Sequence, residues 1–441
     1  MPTTYSHNEF APLFPDQSYP AKDKYNLSPF FTNLHKSVYV PLIFSPEVVG
    51  ALCSRTSRAA EDLRPIFLKE YIQPFLNPDK SLDKKTFSSM ASYGKQLKVF
   101  IEFLHKHPTE EIFSNPKARS FYAKWLAQYG DDSIAQMAGS HVIFSSISQV
   151  AIKHFEDQRI GLAPIEKSTR YVNYGNKING SYQYYTDPTL EGLGLKAEYQ
   201  AAMDGLFDTY KRLLPLLIDW LQKRFPHEKP GVVEKKAFDT LRGILPASAL
   251  SQVAFYGNGQ AFEYAVSRSG QHALGEVRWA AEEMYQELFK VTPSFLRRVK
   301  AEDKQEMVVS YQKYLAQKPD RVASFVKKHL KQANQQVTPL NDYKVDLVEY
   351  DKQGETNIIA GMLYNAPNNQ ASWRNTVSAV KKMSVKEKQN IITSYLDGRK
   401  ERWQKVGRAF ENAYLRYEIT CNIGAWRDLH RHRMLTQQRQ Q

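Results

Sequence analysis

A repeat within the chain is the feature that most limits the folds open to these 441 residues. Residues 134–155 match residues 407–428 at a constant offset of 273, with similar side chains recurring in step. The matched positions are alternately four and three residues apart, which predicts that they line one face of a helix. The matched pairs are Met137 with Phe410, His141 with Tyr414, Phe144 with Tyr417, Ser148 with Cys421 and Ala151 with Gly424.

A short apolar run with strand character precedes each of these stretches, at residues 38–44 and 343–350. Ser45 followed by Pro46 predicts the start of a helix directly after the first run. Helical patterns dominate most of the remaining sequence. We therefore expect an α+β fold that is mostly helical with small sheets and contains two related units in tandem.

The expected division of the chain follows from this repeat and from local composition. The N-terminal residues lack a clear periodic pattern, and a Lys- and Gln-rich segment near residue 301 predicts an exposed helix. The predicted parts are an extended arm at 1–37, a first unit at 38–300, the exposed helix and a linker at 301–342, and a second, incomplete unit at 343–441.

Composition excludes several classes of protein. Hydrophobic residues make up 42% of the chain, which is enough to bury a core and argues against disorder. No run of about 18 uncharged apolar residues occurs, so no membrane span is predicted. The only cysteines, Cys53 and Cys421, cannot form a CxxC metal site, and they fit a reducing, cytoplasmic setting.

The chain carries a net charge of +14, which favours a polyanionic partner such as nucleic acid, nucleotide phosphates or a membrane surface. Charge alone does not choose among these partners. Residues 399–441 hold ten Lys and Arg against four Asp and Glu, and most of the cations are Arg. Arginine favours fixed, forked contacts to phosphate or carboxylate groups.

The segment Arg431-His432-Arg433 follows a helical pattern that ends near Leu429. If it is extended, Arg431 and Arg433 point to the same side and suit a pyrophosphate or paired phosphates. A solvated basic helix end is the alternative. His430 and His432 lack a third ligand nearby, so no metal site is predicted.

Ser168 and Arg170 are also two residues apart and would share one face of an extended segment. A hydroxyl and a guanidinium placed together can bind a small anion or the edge of a uracil ring. The alternative is a strand start that carries incidental polar residues.

Together these segments resemble the signature of the flavin-dependent thymidylate synthase family, which reads Arg-His-Arg, seven residues, Ser, one residue, Arg-Tyr. The first predicted unit keeps Ser168, Arg170 and Tyr171 but has Gln-Arg-Ile at 158–160. The second keeps Arg-His-Arg and ends at Gln441, where the family has Ser. The resemblance implies a two-copy, partly degenerate member of the family that is truncated at its C-terminus.

Further segments resemble other family motifs. Arg242 lies in Leu-Arg-Gly-Ile-Leu-Pro, which is similar to the family's Ala-Arg-x-x-Leu-Pro. Arg268, His272 and Glu276 follow the spacing of the pattern Leu-Arg…His-Ala-Gln-x-Glu-Ile. The resemblance therefore covers roughly residues 38–300 and again residues 343–441.

Two motifs depart from the family pattern. Asn258-Gly-Gln260 resembles Asn-Ala-Arg with the Arg replaced. Residues 130–137 resemble Gly-His-x-Ser-x-x-Glu-His but keep only the Gly and the Ser, with Gln136 in place of the Glu. Loss of these charged residues favours the alternative of a protein that binds the ligands without catalytic turnover.

The resemblance implies an enzyme that transfers a one-carbon unit from methylenetetrahydrofolate to dUMP, giving dTMP, with FAD reduced by NADPH. Arg268 would be catalytic because its charge stabilises the uracil oxygens as C5 attacks. The resemblance assigns Ser168, Arg170, Arg242 and Arg268 to dUMP, and Arg431, His432, Arg433, Asn258 and His272 to FAD.

The family's sites lie between subunits of a homotetramer, so the resemblance implies a homodimer of two-copy chains that forms a pseudo-tetramer. The two copies would then divide the work, with dUMP residues in the first and the Arg-His-Arg segment in the second. A non-catalytic nucleotide or flavin binder is the alternative. A basic nucleic-acid-binding protein is less favoured, because the sequence shows no RNP, KH or helix-turn-helix signature.

Overall fold

The computed structural model describes residues 5–15, 17–108, 115–122, 124, 132–158, 161–296, 299–300, 306–330, 343–401 and 403–439. The predicted linker at 332–342 and the residues Arg159, Ile160 and Gln441 lie outside these ranges. The chain divides into a larger compact unit, Met1–Lys331 with Ile423–Gln441, and a smaller unit, Gln332–Asn422.

The fold is α+β and mostly helical with small sheets, as the sequence predicts. Its strands are β1 (Val38–Tyr39), β2 (Gly139–Ser148), β3 (Leu162–Glu166), β4 (Leu250–Asn258), β5 (Lys344–Tyr350) and β6 (Leu415–Thr420). Its α-helices are α1 (Ala21–Leu27), α2 (Pro46–Thr56), α3 (Leu63–Phe67), α4 (Gln73–Leu76), α5 (Lys84–Lys106), α6 (Pro116–Tyr122), α7 (Gln149–Glu156), α8 (Thr189–Gly192), α9 (Lys196–Arg224), α10 (Pro230–Leu241), α11 (Gly259–Ser269), α12 (Gly275–Val291), α13 (Glu306–His329), α14 (Gly354–Tyr364), α15 (Trp373–Lys381), α16 (Val385–Leu396) and α17 (Ile423–His430). Short 3₁₀ helices lie at His7–Phe10, Ser28–Phe30, Asp132–Met137, Arg242–Ile244, Pro293–Phe295 and Arg408–Asn412, and a π turn at Leu68–Ile72.

An antiparallel sheet with the strand order β1-β2-β4-β3 forms the centre of the larger unit. Side chains alternate across β2, so Val142 and Phe144 enter a core built with α7, α11 and α12. Ile143 enters a second core, which is built with the N-terminal helices α1, α2, α3 and α5. A third core lies between α9 and α10.

The prediction that residues 137–148 lie on one face of a helix is wrong, because residues 139–148 form strand β2. This strand is central and covered on both faces, so its apolar residues lose the alternation that marks a half-buried strand. The matched stretch likewise contains strand β6 before helix α17. Both stretches therefore run in the order 3₁₀ helix, strand, helix at matched positions, while the tandem relation itself stays a prediction.

The N-terminal segment differs from the extended arm expected at 1–37. It contains α1, and Leu27, Phe30 and Phe31 are buried in the second core. Farther upstream, the Phe10 ring packs on Gly275, where a Cβ atom would lie 2.0 Å from the ring's Cδ1. Burial of these apolar side chains outweighs the entropy of ordering the segment.

The C-terminal boundary also differs from the expected unit at 343–441, because residues 423–441 belong to the larger unit. The smaller unit holds the two-stranded sheet β5–β6 and the helices α14, α15 and α16. Ile359, Ala360 and Val380 form its core. The strand predicted at 343–350 is observed as β5, and the other predicted boundaries stay predictions.

A buried carboxylate ties α12 to the junction between β2 and α7. The backbone N–H of Ser148 donates to Glu276 Oε1 at 2.7 Å, and its hydroxyl donates to Oε2 at 2.5 Å. The same hydroxyl caps α7 by accepting from Ala151 N. Burial raises the pKa of Glu276 to about 7, against the lowering effect of the two bonds from Ser148.

We expect Glu276→Gln to remove a pH dependence of stability. A raised pKa in the fold means that stability falls as pH rises from the ordinary value of 4.5 to about 7, and then levels off. Wild type should therefore lose roughly 2–3 kcal/mol relative to the variant between pH 5 and pH 8. Urea unfolding of both proteins at each pH measures this difference, with Glu234→Gln, at an exposed site on α10, as the control. If the difference in the free energy of unfolding between wild type and Glu276→Gln does not change with pH, the raised pKa of Glu276 is contradicted.

Candidate functional site

Three buried or half-buried cations surround the carboxylate of Glu166 at the end of β3. Arg427 Nη2 lies 3.3 Å from Glu166 Oε1, and the Arg431 guanidinium donates to the same oxygen. Lys153 Nζ lies 3.2 Å from the other oxygen, Oε2, and 2.5 Å from the carboxylate of Glu156. We call these five residues the Glu166 cluster.

The cluster explains how a buried acid stays ionised. The Glu166 side chain is only 2% exposed. Burial favours its neutral form, but the charges of Lys153, Arg427 and Arg431 outweigh burial and lower its pKa to about 2. The attraction holds α17 and the turn after it against β3 and α7.

A second set of contacts joins the ends of α7 and α17. His430 Nε2 lies 2.5 Å from Asp157 Oδ1, and Arg439 pairs with the same carboxylate. Asp157 and His430 are separated by 273 residues, the offset of the sequence repeat. Matched positions that meet each other are the pattern of contacts across a twofold axis.

A cavity of about 260 Å³ lies beside the cluster, lined by Glu156, Pro164, His430, Arg431 and Arg433. Arg431 and Arg433 therefore face one site, as the sequence predicts. The backbone differs from the extended segment expected there, because Arg433 N donates to Arg431 O and Leu435 N to His432 O in a turn. In this turn His432 is exposed and His430 lines the cavity instead.

One of the predicted anion-binding arginines contacts the carboxylate of Asp428, and the charges of two others act on it. Arg242 Nη2 donates to Asp428 Oδ2 at 2.7 Å. Burial opposes ionisation of Asp428, but the hydrogen bond and charge of Arg242, with the charges of Arg170 and Arg431, lower its pKa. Arg242 thus already holds an anionic group from a distant part of the chain.

Ser168 and Arg170 do not share a strand face, so that prediction is wrong. Strand β3 ends at Glu166, and a turn follows in which Ser168 Oγ accepts from Arg170 N at 3.2 Å. The backbone N–H groups of Tyr171 and Val172 donate to Ser168 O. Arg170 is exposed but remains near enough to act on Asp428.

Arg268 and His272 lie in another group, near the C-terminal end of α11. The rings of His272 and His154 have centroids 4.4 Å apart, and His154 Nε2 lies 2.9 Å from Ser269 Oγ. Burial lowers the pKa of His154 to about 3, helped by the charges of His272, Arg268 and Arg439. Within the described ranges, no hydrogen bond or ion pair engages the Arg268 guanidinium.

Asn258 caps α11, because its side-chain oxygen accepts from Ala261 N at 2.8 Å. Close by, Gln136 Nε2 donates to Gln260 Oε1 at 2.9 Å. These two glutamines are the positions at which the resembled motifs have Glu and Arg. The two departures from the family pattern therefore contact each other.

Sequence reasoning missed Lys153 and most of the acidic partners of these arginines. Glu166 stands at the end of an apolar strand, and Lys153 lies on α7, where every residue except Val150 is buried. A charge within such an apolar stretch is the local signal that could have marked both residues. Nothing local marks Asp428, whose partner Arg242 is 186 residues away.

None of the helices in the described part of the chain combines the length and apolar character that crossing a bilayer demands. Across the same described ranges, His, Cys, Asp and Glu side chains nowhere gather in threes as a metal ion would need.

Known proteins similar to this chain belong to one family. A family model described as thymidylate synthase complementing protein matches residues 84–294. The chain is 32% identical over 437 residues to a UPF0159 protein of Chlamydia pneumoniae, a match that covers 96% of this chain and 75% of the relative. A UPF0159 protein of Thermoplasma acidophilum is 28% identical over 357 residues, covering 73% of this chain and 66% of the relative. The chain therefore belongs to the thymidylate synthase complementing protein family, the family of flavin-dependent thymidylate synthases, and this membership supports a thymidylate synthase-like function.

Proposed function

We propose that this chain is a flavin-dependent thymidylate synthase. It would bind dUMP and FAD and transfer a one-carbon unit from methylenetetrahydrofolate to C5 of dUMP, giving dTMP, with NADPH as reductant. Family membership supports the general reaction. The arrangement of arginines around Asp428 supports a phosphorylated substrate.

The ion pair between Arg242 and Asp428, on which the charges of Arg170 and Arg431 also act, is the observation that carries the proposal. Arg170 and Arg242 can bind a phosphomonoester dianion through several charge-assisted hydrogen bonds. Arg242 is well placed for this because its side chain is only 16% exposed. In the proposal the dUMP phosphate replaces Asp428 as the partner of these arginines.

Arg268 is the proposed catalytic residue, since its guanidinium has no partner among the described residues. When C5 of uracil attacks the one-carbon unit, negative charge builds on the uracil oxygens. A guanidinium held near those oxygens stabilises that charge. Ser168 would donate from its hydroxyl to dUMP.

Arg431 and Arg433 fit the diphosphate of FAD, because both line one cavity. That cavity of about 260 Å³ is smaller than a usual small-ligand pocket of roughly 300–1,000 Å³. It therefore suits the diphosphate and not the whole dinucleotide, so we propose His432, Asn258 and His272 as contacts for other parts of FAD. When bound, FAD would supply the redox chemistry, while this chain's residues bind and orient the reactants.

The position of Arg431 also supports a division of labour between the two sequence repeats. Arg431 follows the second repeat and pairs with Glu166, which precedes Ser168 after the first repeat. A complete set of site residues therefore needs both repeats. A homodimer that forms a pseudo-tetramer stays a prediction.

A nucleotide binder without turnover is the second candidate. It is favoured by Gln136 and Gln260, which replace the charged residues of the family motifs with a neutral pair. Binding and turnover must therefore be measured separately. Release of tritium from dUMP labelled at C5 reports turnover, because transfer to C5 displaces that hydrogen.

We expect Arg242→Ala and Arg268→Ala each to weaken dUMP binding by roughly 1.5–3 kcal/mol, since each removes a charge-assisted hydrogen bond. Titration calorimetry with dUMP measures the change. Arg224→Ala is the control, because Arg224 is exposed at the end of α9. Unchanged affinity in both test variants would refute their assignment.

Replacing Arg431 and Arg433 together by Ala should release flavin, whereas Arg170→Ala should weaken dUMP binding and leave flavin in place. The visible absorbance of the purified proteins reports flavin, and calorimetry reports dUMP. Some loss of dUMP affinity in the double variant is expected, because Arg431 also acts on Asp428. If the double variant keeps its full flavin content and loses dUMP binding completely, the two repeats do not bind the two ligands separately as proposed.

Asp428→Asn should strengthen dUMP binding roughly tenfold, because the phosphate would no longer compete with a carboxylate for Arg242. Asp219→Asn is the control, since Asp219 is exposed on α9 and pairs with Lys223, away from Arg242. Weaker binding by Asp428→Asn would mean instead that Asp428 holds Arg242 in position for the phosphate.

A further inference from the structure

The loop between α11 and α12, residues 270–274, carries His272 and is fixed by an arginine in the first turn of α12. Arg278 Nη1 donates to the carbonyl oxygens of His272 and Ala273, both at 2.7 Å. Within the described ranges, no carboxylate pairs with this guanidinium. Two charge-assisted hydrogen bonds from one nitrogen hold two consecutive peptide groups, so Arg278 fixes the backbone of the loop.

The N-terminal segment restricts Arg278 in turn. The guanidinium carbon of Arg278 lies 5.5 Å from the centre of the Phe10 ring, which is within the range of a cation–π contact. The same ring packs on Gly275, the first residue of α12. The contact with the ring and the two hydrogen bonds together favour a single orientation of the Arg278 side chain.

The backbone N–H of Leu274 determines which ring nitrogen of His272 carries a proton. This N–H donates to His272 Nδ1 at 3.1 Å. Because Nδ1 is the acceptor, a neutral imidazole ring must carry its proton on Nε2. Leu274 belongs to the loop that Arg278 fixes, so the tautomer of His272 depends on that arginine.

The surroundings of the His272 ring keep it neutral. Burial and the positive charges of Arg268 and Arg278 lower its pKa. Protonation of Nδ1 would also break the hydrogen bond from Leu274. His272 therefore offers an N–H group at Nε2, and among the residues that the structure describes none accepts a hydrogen bond from it.

We propose that Arg278 is a positioning residue, which fixes the 270–274 loop so that His272 presents a neutral Nε2–H group to FAD. The inference rests on the proposed function, in which His272 contacts FAD, and adds the direction of that hydrogen bond. Because Nε2 can only donate, its partner on FAD must be an acceptor, such as a carbonyl or phosphate oxygen. A neutral donor makes this bond without adding a second positive charge beside Arg268.

NMR of the full chain with ¹⁵N-labelled histidine, after removal of any bound flavin, measures the tautomer. The His272 signals, identified by their absence from His272→Gln, should show a proton on Nε2 alone. Arg278→Met keeps an apolar stem against Phe10 but removes both donated hydrogen bonds, so the Nδ1–H tautomer should appear beside the Nε2–H form. Arg278→Lys should retain more of the wild-type tautomer, because an ammonium group can still donate to a carbonyl.

Arg212→Met makes the same change at an exposed site on α9 and should leave the His272 signals unaltered. A wild-type His272 that is charged at neutral pH, or that carries its proton on Nδ1, would overturn the proposal. A tautomer that Arg278→Met leaves unchanged would overturn the positioning role of Arg278.

FAD affinity, measured by titration of flavin fluorescence, tests the donor. The side-chain nitrogen of glutamine can take the place of Nε2, whereas that of asparagine reaches only the place of Nδ1. His272→Asn should therefore bind FAD roughly fivefold more weakly than His272→Gln, the equivalent of one neutral hydrogen bond. Arg278→Met should also bind FAD more weakly than wild type, and Arg212→Met should not.

Equal FAD affinities of His272→Asn and His272→Gln would overturn the assignment of Nε2 as the donor. A wild type that binds no FAD would refute the proposed function and, with it, the contact between His272 and FAD. The NMR measurement decides the positioning role of Arg278 in either case, because it needs no flavin.

Discussion

The buried carboxylate of Glu166 is the interaction on which the candidate site depends. One of its oxygens receives Lys153, and the other receives Arg427 and Arg431. A nearly inaccessible acid is tolerable only with such partners, and cations this close would repel one another without it. This mutual requirement holds the turn after α17 in place, and with it the arginine pair that lines the cavity.

The consequence is a cationic site that neither sequence repeat forms alone. Arg431 reaches Glu166 across 265 residues, and Asp428 reaches Arg242 across 186. Between them, Asp157 and His430 meet at matched positions of the repeat. The contacts between these matched positions therefore resemble those across an interface between two subunits, but they are formed within a single chain. A site whose residues come from both sequence repeats requires such contacts.

The sequence predicted which residues lie close together more accurately than it predicted the backbone conformation that brings them together. Arg431 and Arg433 share a cavity as predicted, although through a turn and not through extended chain. Strand β2 was mistaken for a helix because burial on both faces removes the alternation that identifies strands. The pairing of Glu166 with Arg427 and Arg431 could not be predicted, since both arginines lie far away in the sequence and no local pattern links them to Glu166.

The departures from the family motifs have a physical pattern. Random loss of one member of a Glu–Arg pair would leave a charge without its partner, but here both positions are glutamine and bond to each other. That replacement keeps the contact between the Asp132–Met137 segment and α11 while removing both charges. Arg242, which keeps the family motif, has Asp428 as its partner. The hydrogen bond between the two glutamines therefore keeps a contact that a single replacement would have left with an unpaired charge.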